Sequence, residues 1–213
     1  MSRTADLEHV LGRSVSRETL ERLEAFDAAL LKWSSAINLI AKATRSESWS
    51  RHILDSAQLY PLAPTDFRHW CDLGAGGGLP GLVIACLTTE ANPGARITLV
   101  ESDARKAAFL ATAARQLDLA VTVLRDRIEK VAPQRADILS ARALAALPLL
   151  LDYAHRHLDP QGMALLPKGR NAAQEVEDAR QSWHFDLEIM PSRADPEGAI
   201  LVLRNLRPLD GTR

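Results

Sequence analysis

The run His69-Trp70-Cys71-Asp72-Leu73 gives way directly to Gly74-Ala75-Gly76-Gly77-Gly78, four glycines in five positions. Few local patterns restrict a fold more. Glycine tolerates left-handed backbone and lets a loop approach a ligand where a Cβ would obstruct it. A short apolar strand that ends in such a loop and leads into a helix is the opening unit of an open α/β sheet. Ligands of such sheets bind beyond the carboxyl ends of the strands, near the point where strand order reverses. Pro80 sits where a first helical turn tolerates it, so the pattern predicts a helix from there through Leu87.

The rest of the chain repeats the unit. Apolar strand patterns recur at residues 96–101, 121–124, 137–140 and 163–166. Helical patterns fill residues 103–117, 146–157 and 172–181 between or after them. Alternation of this kind predicts a parallel sheet with helices on both faces. Residues 185–190 and 199–204 add two more strands without a long crossover, so at least one is expected to run antiparallel. The expected architecture is α/β, a doubly wound, mostly parallel sheet of seven strands in the Rossmann-like class. Ahead of it, Ser16 is placed to cap a helix bearing Leu20, Leu23, Phe26, Leu30 and Trp33 at helical spacing. After a break at residues 37–40, a second helix is expected over 47–60, with Trp49, Ile53, Ala57 and Tyr60 on one face and Pro61 at its end. The chain therefore divides into an N-terminal helical cap, residues 1–65, and a core, residues 66–213, that together make one compact unit.

Composition excludes several classes. Apolar residues make up 46% and charged residues 25%, a globular balance rather than a disordered one. No apolar run reaches the roughly 18 residues needed to cross a bilayer. The first ten residues carry acids and lack an apolar segment, so no signal peptide is read there. A cytoplasmic protein with no membrane partner is expected. Cys71 and Cys86 lie in apolar stretches without metal-site spacing, which points to buried thiols and no metal. The net charge of −1 announces no nucleic-acid partner, so any RNA contact has to come from a local basic face. Lys42, Arg45 and Arg51 form one such edge, although a solvated face would look the same.

The glycine loop alone is a weak signal, since Gly76 to Gly81 satisfies GxGxxG through glycine density. Its acidic neighbours are more specific. Asp72 lies two residues before the first glycine, where a carboxylate suits a ligand with a cationic amino group and suits a pyrophosphate poorly. Glu101 ends the second strand, 23 residues after Gly78, where a carboxylate accepts hydrogen bonds from ribose hydroxyls. Together they favour S-adenosyl-L-methionine over a dinucleotide, with Asp72, Gly74, Gly76, Gly78 and Glu101 as its contacts. No GxxxxGK[ST] is present. After the fourth strand stands Ser140-Ala141-Arg142-Ala143, not the Asn/Asp-Pro-Pro used on exocyclic amines, and no cysteine nucleophile follows it. The residues alone leave open a small-molecule methyltransferase, a dinucleotide-dependent oxidoreductase and a non-catalytic RNA-binding module.

A longer set of motifs narrows the choice. Asn38-Leu39, Arg51-His52-Ile53-Leu54-Asp55-Ser56, the glycine loop through Gly78-Leu79-Pro80-Gly81, Arg127-Ile128-Glu129, Arg142-Ala143 and Lys168-Gly169 follow one another from residue 38 to 169. In this order they resemble the bacterial small-subunit rRNA guanine-N7 methyltransferase family, RsmG or GidB. The resemblance implies a class I S-adenosylmethionine-dependent enzyme and 16S rRNA, free or within the small ribosomal subunit, as substrate. A monomer is expected. By resemblance Gly74 and Leu79 contact the cofactor, Ile128 and Glu129 hold its adenine, and Arg142 lies between cofactor and target base. Asn38, His52 and Lys168 are further candidates on the target side. The chain departs from the family at Glu197-Gly198-Ala199-Ile200, where a basic residue is common, so that contact is either missing or supplied by Arg193 or Arg204. Plainer roles stand beside these: a packing histidine for His52, a turn for Asn38, ion pairs for Arg127 and Arg142, and core positions for Trp33, Trp49 and Trp70.

Overall fold

The computed structural model describes residues 2–209; Met1 and residues 210–213, the outer limits of the two expected units, lie outside the described residues. Two helices open the chain, α1 (Arg3–Leu11) and α2 (Arg17–Trp33). Ser16 caps α2 as expected, its hydroxyl accepting from the Thr19 amide at 3.1 Å. The core follows with β1 (His69–Leu73), α4 (Gly81–Ala91), β2 (Arg96–Val100), α5 (Ala104–Gln116), β3 (Val121–Leu124) and β4 (Ala136–Ser140). It ends with α6 (Leu147–His157), β5 (Leu158–Lys168), α7 (Ala172–Arg180), β6 (Trp183–Pro191) and β7 (Ala199–Pro208). The seven strands form one sheet in the order β3-β2-β1-β4-β5-β7-β6. Strands β1 to β5 are parallel, while β7 runs antiparallel to both β5 and β6. Strand order reverses between β1 and β4, so the crevice expected of a doubly wound sheet lies at their carboxyl ends.

Period-two alternation sorts the strand residues onto two cores. Trp70, Leu99, Ile138 and Leu165 pack on one face with α1, α2, α4 and α5. Leu73, Val100, Leu139 and Leu166 pack on the other with α6 and α7. Phe26 and Leu30 of α2 belong to the same apolar cluster as Leu82 and Ile84 of α4, so the N-terminal helices share a core with the sheet.

Two expectations need correcting. The segment expected to be one helix over residues 47–60 is instead a 3₁₀ turn (Lys42–Glu47), a π-helical turn (Trp49–Leu54), the short α3 (Asp55–Ala57) and a 3₁₀ turn (Tyr60–Leu62). Apolar spacing located the buried side correctly, with Ile53 and Ala57 fully buried. It carries no information on whether a turn closes on the third, fourth or fifth residue. Pro80 precedes α4 rather than sitting inside its first turn, and the helix runs past Leu87 to Ala91.

A buried polar chain ties the switch point together. Asp72 on β1 stands opposite Ser140 on β4, and the Ser140 hydroxyl donates to Asp72 Oδ1 at 2.7 Å. Ser140 Oγ in turn accepts from the Trp70 indole at 2.9 Å, while Asp72 Oδ2 accepts from the Gly81 amide at 3.0 Å. A Cβ on Gly81 would lie 2.8 Å from that carboxylate oxygen, so only glycine lets α4 start this close to β1. Burial raises the Asp72 carboxyl to about 7, against the opposing pull of the Ser140 and Gly81 hydrogen bonds. An acid whose folded value is raised stabilises the fold below its unfolded value, and that contribution is lost as pH rises through about 7. Asp72→Asn keeps an acceptor for Gly81 and cannot ionise. Urea unfolding from pH 4 to pH 8 is expected to show the Asn variant gaining on the parent as pH rises; a constant difference would mean that Asp72 is ionised throughout.

Candidate functional site

The loop after β1 turns through left-handed backbone at Gly74, Gly76 and Gly78, with φ of 64°, 52° and 80°. These glycines do different work. A Cβ on Gly74 would come within 2.6 Å of Leu144, so that glycine lets the loop after β4 close over the loop after β1. A Cβ on Gly78 would strike Leu82 at 2.7 Å and Phe26 at 3.1 Å, so that glycine serves the packing of α2 on α4. Between the carboxyl ends of β1, β2 and β4 lies a cleft of about 440 Å³, lined by Gly74, Gly76, Glu101, Ile128, Glu129, Leu144 and Tyr153 among others. Glu101 Oε2 accepts from the Gly76 amide at 2.8 Å and Oε1 from the Asp103 amide at 2.7 Å. It therefore fixes the glycine loop to the end of β2, with a second lone pair free on each oxygen for a ligand hydroxyl. Glu129 accepts from the Tyr153 hydroxyl at 2.7 Å, which holds its carboxyl below the usual carboxylate value.

Two recesses adjoin the cleft beyond β4. The first, about 330 Å³, is lined by Asp55, Arg142, Ala143, Lys168, Glu175 and Gly198 among others. The second, about 370 Å³, includes Leu39, Thr44, His52, Asp55, Arg142 and Ala143. Ala143 borders the cleft and both recesses. Its φ of 51° is a conformation that costs an L-residue about 1–3 kcal/mol. That turn lets Arg142 line the recesses while Leu144 lines the cleft.

Arg142 is held rather than free. Its guanidinium donates to Asp55 Oδ2 at 3.0 Å, to His52 Nδ1 at 3.3 Å and to the Arg51 carbonyl at 3.4 Å. His52 Nε2 lies 2.8 Å from Thr44 Oγ1, whose hydroxyl donates to the Ala41 carbonyl at 3.0 Å. Those roles place the imidazole proton on Nε2 and leave Nδ1 as acceptor for Arg142. Burial, then the charges of Arg142 and Arg51, push His52 down to about 4. Lys168, its side chain 9% exposed, donates to Glu175 Oε2 at 2.7 Å and to the Ala145 carbonyl at 3.2 Å.

The site residues expected from sequence are brought together in part. Gly74, Gly76, Glu101, Ile128 and Glu129 line the cleft. Arg142, His52 and Lys168 line the recesses. Asp72 does not reach the cleft wall: it is fully buried, with both oxygens engaged by Ser140 and Gly81. Gly78 and Leu79 pack inward, Leu79 within the core shared with α2. Asn38 is exposed beside Leu39 and is not itself on the recess wall. Arg193 spends its guanidinium on the His9 and Val10 carbonyls at the end of α1, and Arg204 pairs with Glu188 on the outer strands. Neither lines the cleft or a recess. Trp70 is core, Trp49 is buried against Arg3, and Trp33 packs on Phe109. Tyr153 and Glu175 were not singled out from sequence, because each acts through a partner on a different element. Asp55 stood inside a recognised motif, three residues after His52, and that spacing was its only signal.

Comparison with known proteins gives the chain's family. Residues 19–195 match the family described as GidB, rRNA small subunit methyltransferase G. The ribosomal RNA small subunit methyltransferase G of Cereibacter sphaeroides is 54% identical over 191 residues, 90% of this chain and 92% of that protein. The protein of the same name from Rhodospirillum centenum is 48% identical over 206 residues, 97% of this chain and 92% of its own. A crystal structure of a SAM-dependent methyltransferase from Aquifex aeolicus shares the fold with a TM-score of 0.59 at 11% identity, covering 76% of this chain and 94% of that one. On fold, motif order and similarity over nine-tenths of its length, the chain belongs to the rRNA small subunit methyltransferase G family.

Proposed function

We propose that this protein transfers the methyl group of S-adenosyl-L-methionine to N7 of a guanosine in 16S rRNA, either free or within the small ribosomal subunit. We read it as a cytoplasmic monomer; among the described residues no helix is long and apolar enough to cross a membrane. The observation that carries the reading is the position of Ala143, which lines both the glycine-loop cleft and the recesses around Arg142. Residues 1–65 act in this scheme as a cap over the core of 66–213, since they supply His52, Asp55 and one recess wall.

The cleft fits the donor. Gly74 and Gly76 leave it free of side chains along the loop, Glu101 keeps lone pairs for the ribose, and Ile128 with Glu129 suits the adenine end. Asp72 acts on the donor only through the loop and helix it anchors. When bound, S-adenosyl-L-methionine supplies a methyl group already activated on a sulfonium. Guanine N7 carries an in-plane lone pair and no proton, so no residue of the chain has to serve as a base. The protein's task is to place the base and exclude water, and positioning of this sort is worth about 7–11 kcal/mol in favourable cases. Arginine fits the O6 and N7 acceptors of guanine together, but N7 has to stay free. Arg142, already committed to Asp55, His52 and Arg51, instead offers its charge to the target nucleotide's phosphate. A-form RNA hides N7 in its deep major groove, so the target is a loop guanosine or one drawn out of its stack.

Transfer of labelled methyl to unmodified small subunits and to their naked RNA, followed by nucleoside mass spectrometry, is expected to yield 7-methylguanosine. Label in neither RNA, with the donor still bound, would overturn the assignment. Arg142→Ala is expected to lower turnover about 100-fold, the order seen when one oriented donor is removed from an active site, with the fold unchanged by circular dichroism. Wild-type turnover would remove Arg142 from the mechanism. Because His52 stays neutral down to about 4, its imidazole leaves the rate flat between pH 6 and pH 8. Its titration enters as an acid limb near 4, where a second cation forms against Arg142. A limb near 6.5 that disappears in His52→Gln would contradict the lowered value of His52.

A further inference from the structure

The first recess contains a polar pair that the scheme above leaves unused. Both protein hydrogen bonds to Glu175 fall on one oxygen: Oε2 accepts from the Leu147 amide at 2.9 Å and from Lys168 Nζ at 2.7 Å. Oε1 takes neither. Lys168 in turn assigns two of its three ammonium protons, to Glu175 and to the Ala145 carbonyl. Each partner thus keeps one group of opposite hydrogen-bonding character, an acceptor on Glu175 and a donor on Lys168. Both side chains line the recess that opens from Ala143. Glu175 sits near the start of α7 and is about a quarter exposed, so the pair is open to a ligand from that side. As a stability device it has little value, because taking a lysine and a carboxylate out of water costs about as much as their attraction returns.

We propose that the Lys168–Glu175 pair selects guanine, with Lys168 donating to O6 and Glu175 Oε1 accepting from N1–H. This rests on the guanine-N7 reading and gives it a specificity determinant. The polarity is what discriminates: adenine presents an amino donor where guanine has O6, and a bare acceptor where guanine has N1–H. Adenine would set donor against donor and acceptor against acceptor. The pair grips the edge that leads away from N7, so N7 is left facing the cleft at Ala143. Arg142 is thereby freed from base reading, in keeping with its three protein acceptors. Each correctly matched pair of contacts of this kind is worth about 10- to 100-fold between bases.

The test uses Glu175→Gln, which retains an oxygen for the Leu147 amide and alters the group offered to N1–H, with Glu175→Asp as the conservative partner. Inhibition of methyl transfer to small subunits by GMP, IMP and AMP is measured for each, alongside affinity for S-adenosylhomocysteine and melting temperature. The parent enzyme is expected to be inhibited about tenfold or more better by GMP and IMP than by AMP, since inosine keeps both O6 and N1–H. Glu175→Gln should lose most of that preference and show a raised KM for the RNA. Its melting temperature and S-adenosylhomocysteine affinity should stay near the parent's, and Glu175→Asp should recover part of the preference. A parent enzyme that makes 7-methylguanosine while Glu175→Gln keeps both the preference and the KM would overturn the pair's role. A parent that makes no 7-methylguanosine and binds the three nucleotides alike would sink the guanine reading itself, so the two failures are separable.

Discussion

The site depends on a carboxylate that never faces it. Asp72 is fully buried at the point where the sheet reverses direction, joining β1 to β4 through Ser140 and to α4 through the Gly81 amide. A buried carboxyl without partners would cost several kcal/mol. Here each oxygen accepts a donor, and those two hydrogen bonds oppose the upward pull of burial on the acid. The consequence is geometric. With Gly81 drawn up to Asp72, the seven residues from Gly74 to Pro80 have to fold back on themselves between the strand and the helix. Glu101 then takes the Gly76 amide and pins the loop to β2. The open mouth above β1 follows from these two carboxylates, one buried beneath the loop and one at its edge.

A second constraint couples the N-terminal segment to the sheet. The π-helical turn Trp49–Leu54 and the following α3 present His52 and Asp55 toward Arg142, which leaves the end of β4. Gln58 bonds Asp55 Oδ1 at 2.8 Å on one side and accepts from the Arg193 amide at 2.7 Å on the other. Arg193 in turn closes the end of α1. One hydrogen-bonded path thus runs from α1 through the loop before β7 to Arg142, so the cap and the sheet strands hold the recess walls jointly.

How much of this was legible in the sequence differs by scale. Period-two and helical spacing fixed the strands, most helices and the antiparallel ending, because those signals are local and repeated. The motif order named residues that line the cleft and the recesses, among them Gly74, Ile128, Glu129, Arg142, His52 and Lys168. The turn containing His52 was misread as α-helix, since apolar spacing reports which side is buried and not which carbonyl each amide reaches. Asp72 was expected to meet a ligand's amino group, yet a carboxylate beside glycines is equally suited to tie a helix start to its strand. Only the position of Gly81 distinguishes the two, nine residues on. Glu175 gave no signal, because its partners Lys168 and Leu147 come from the end of β5 and the start of α6.

Charge balance explains why the cations of the recess are paired before any RNA arrives. A sulfonium donor brings a positive charge into the cleft, and methylation at N7 leaves a positive charge on the base. An unpaired arginine or lysine beside either would oppose donor binding and product formation alike, and a water-poor site would strengthen that repulsion. Asp55 compensates Arg142 and Glu175 compensates Lys168, each through a contact of 3.0 Å or less. The two pairs keep the donors needed to orient a nucleotide while cancelling most of their long-range field. His52 completes the balance by staying neutral, since a protonated imidazole there would set two cations 3.3 Å apart. The two cations that the recess offers to a nucleotide, Arg142 and Lys168, are thus each matched by a carboxylate on a neighbouring element, whereas Lys106 and Arg127 border the donor cleft itself.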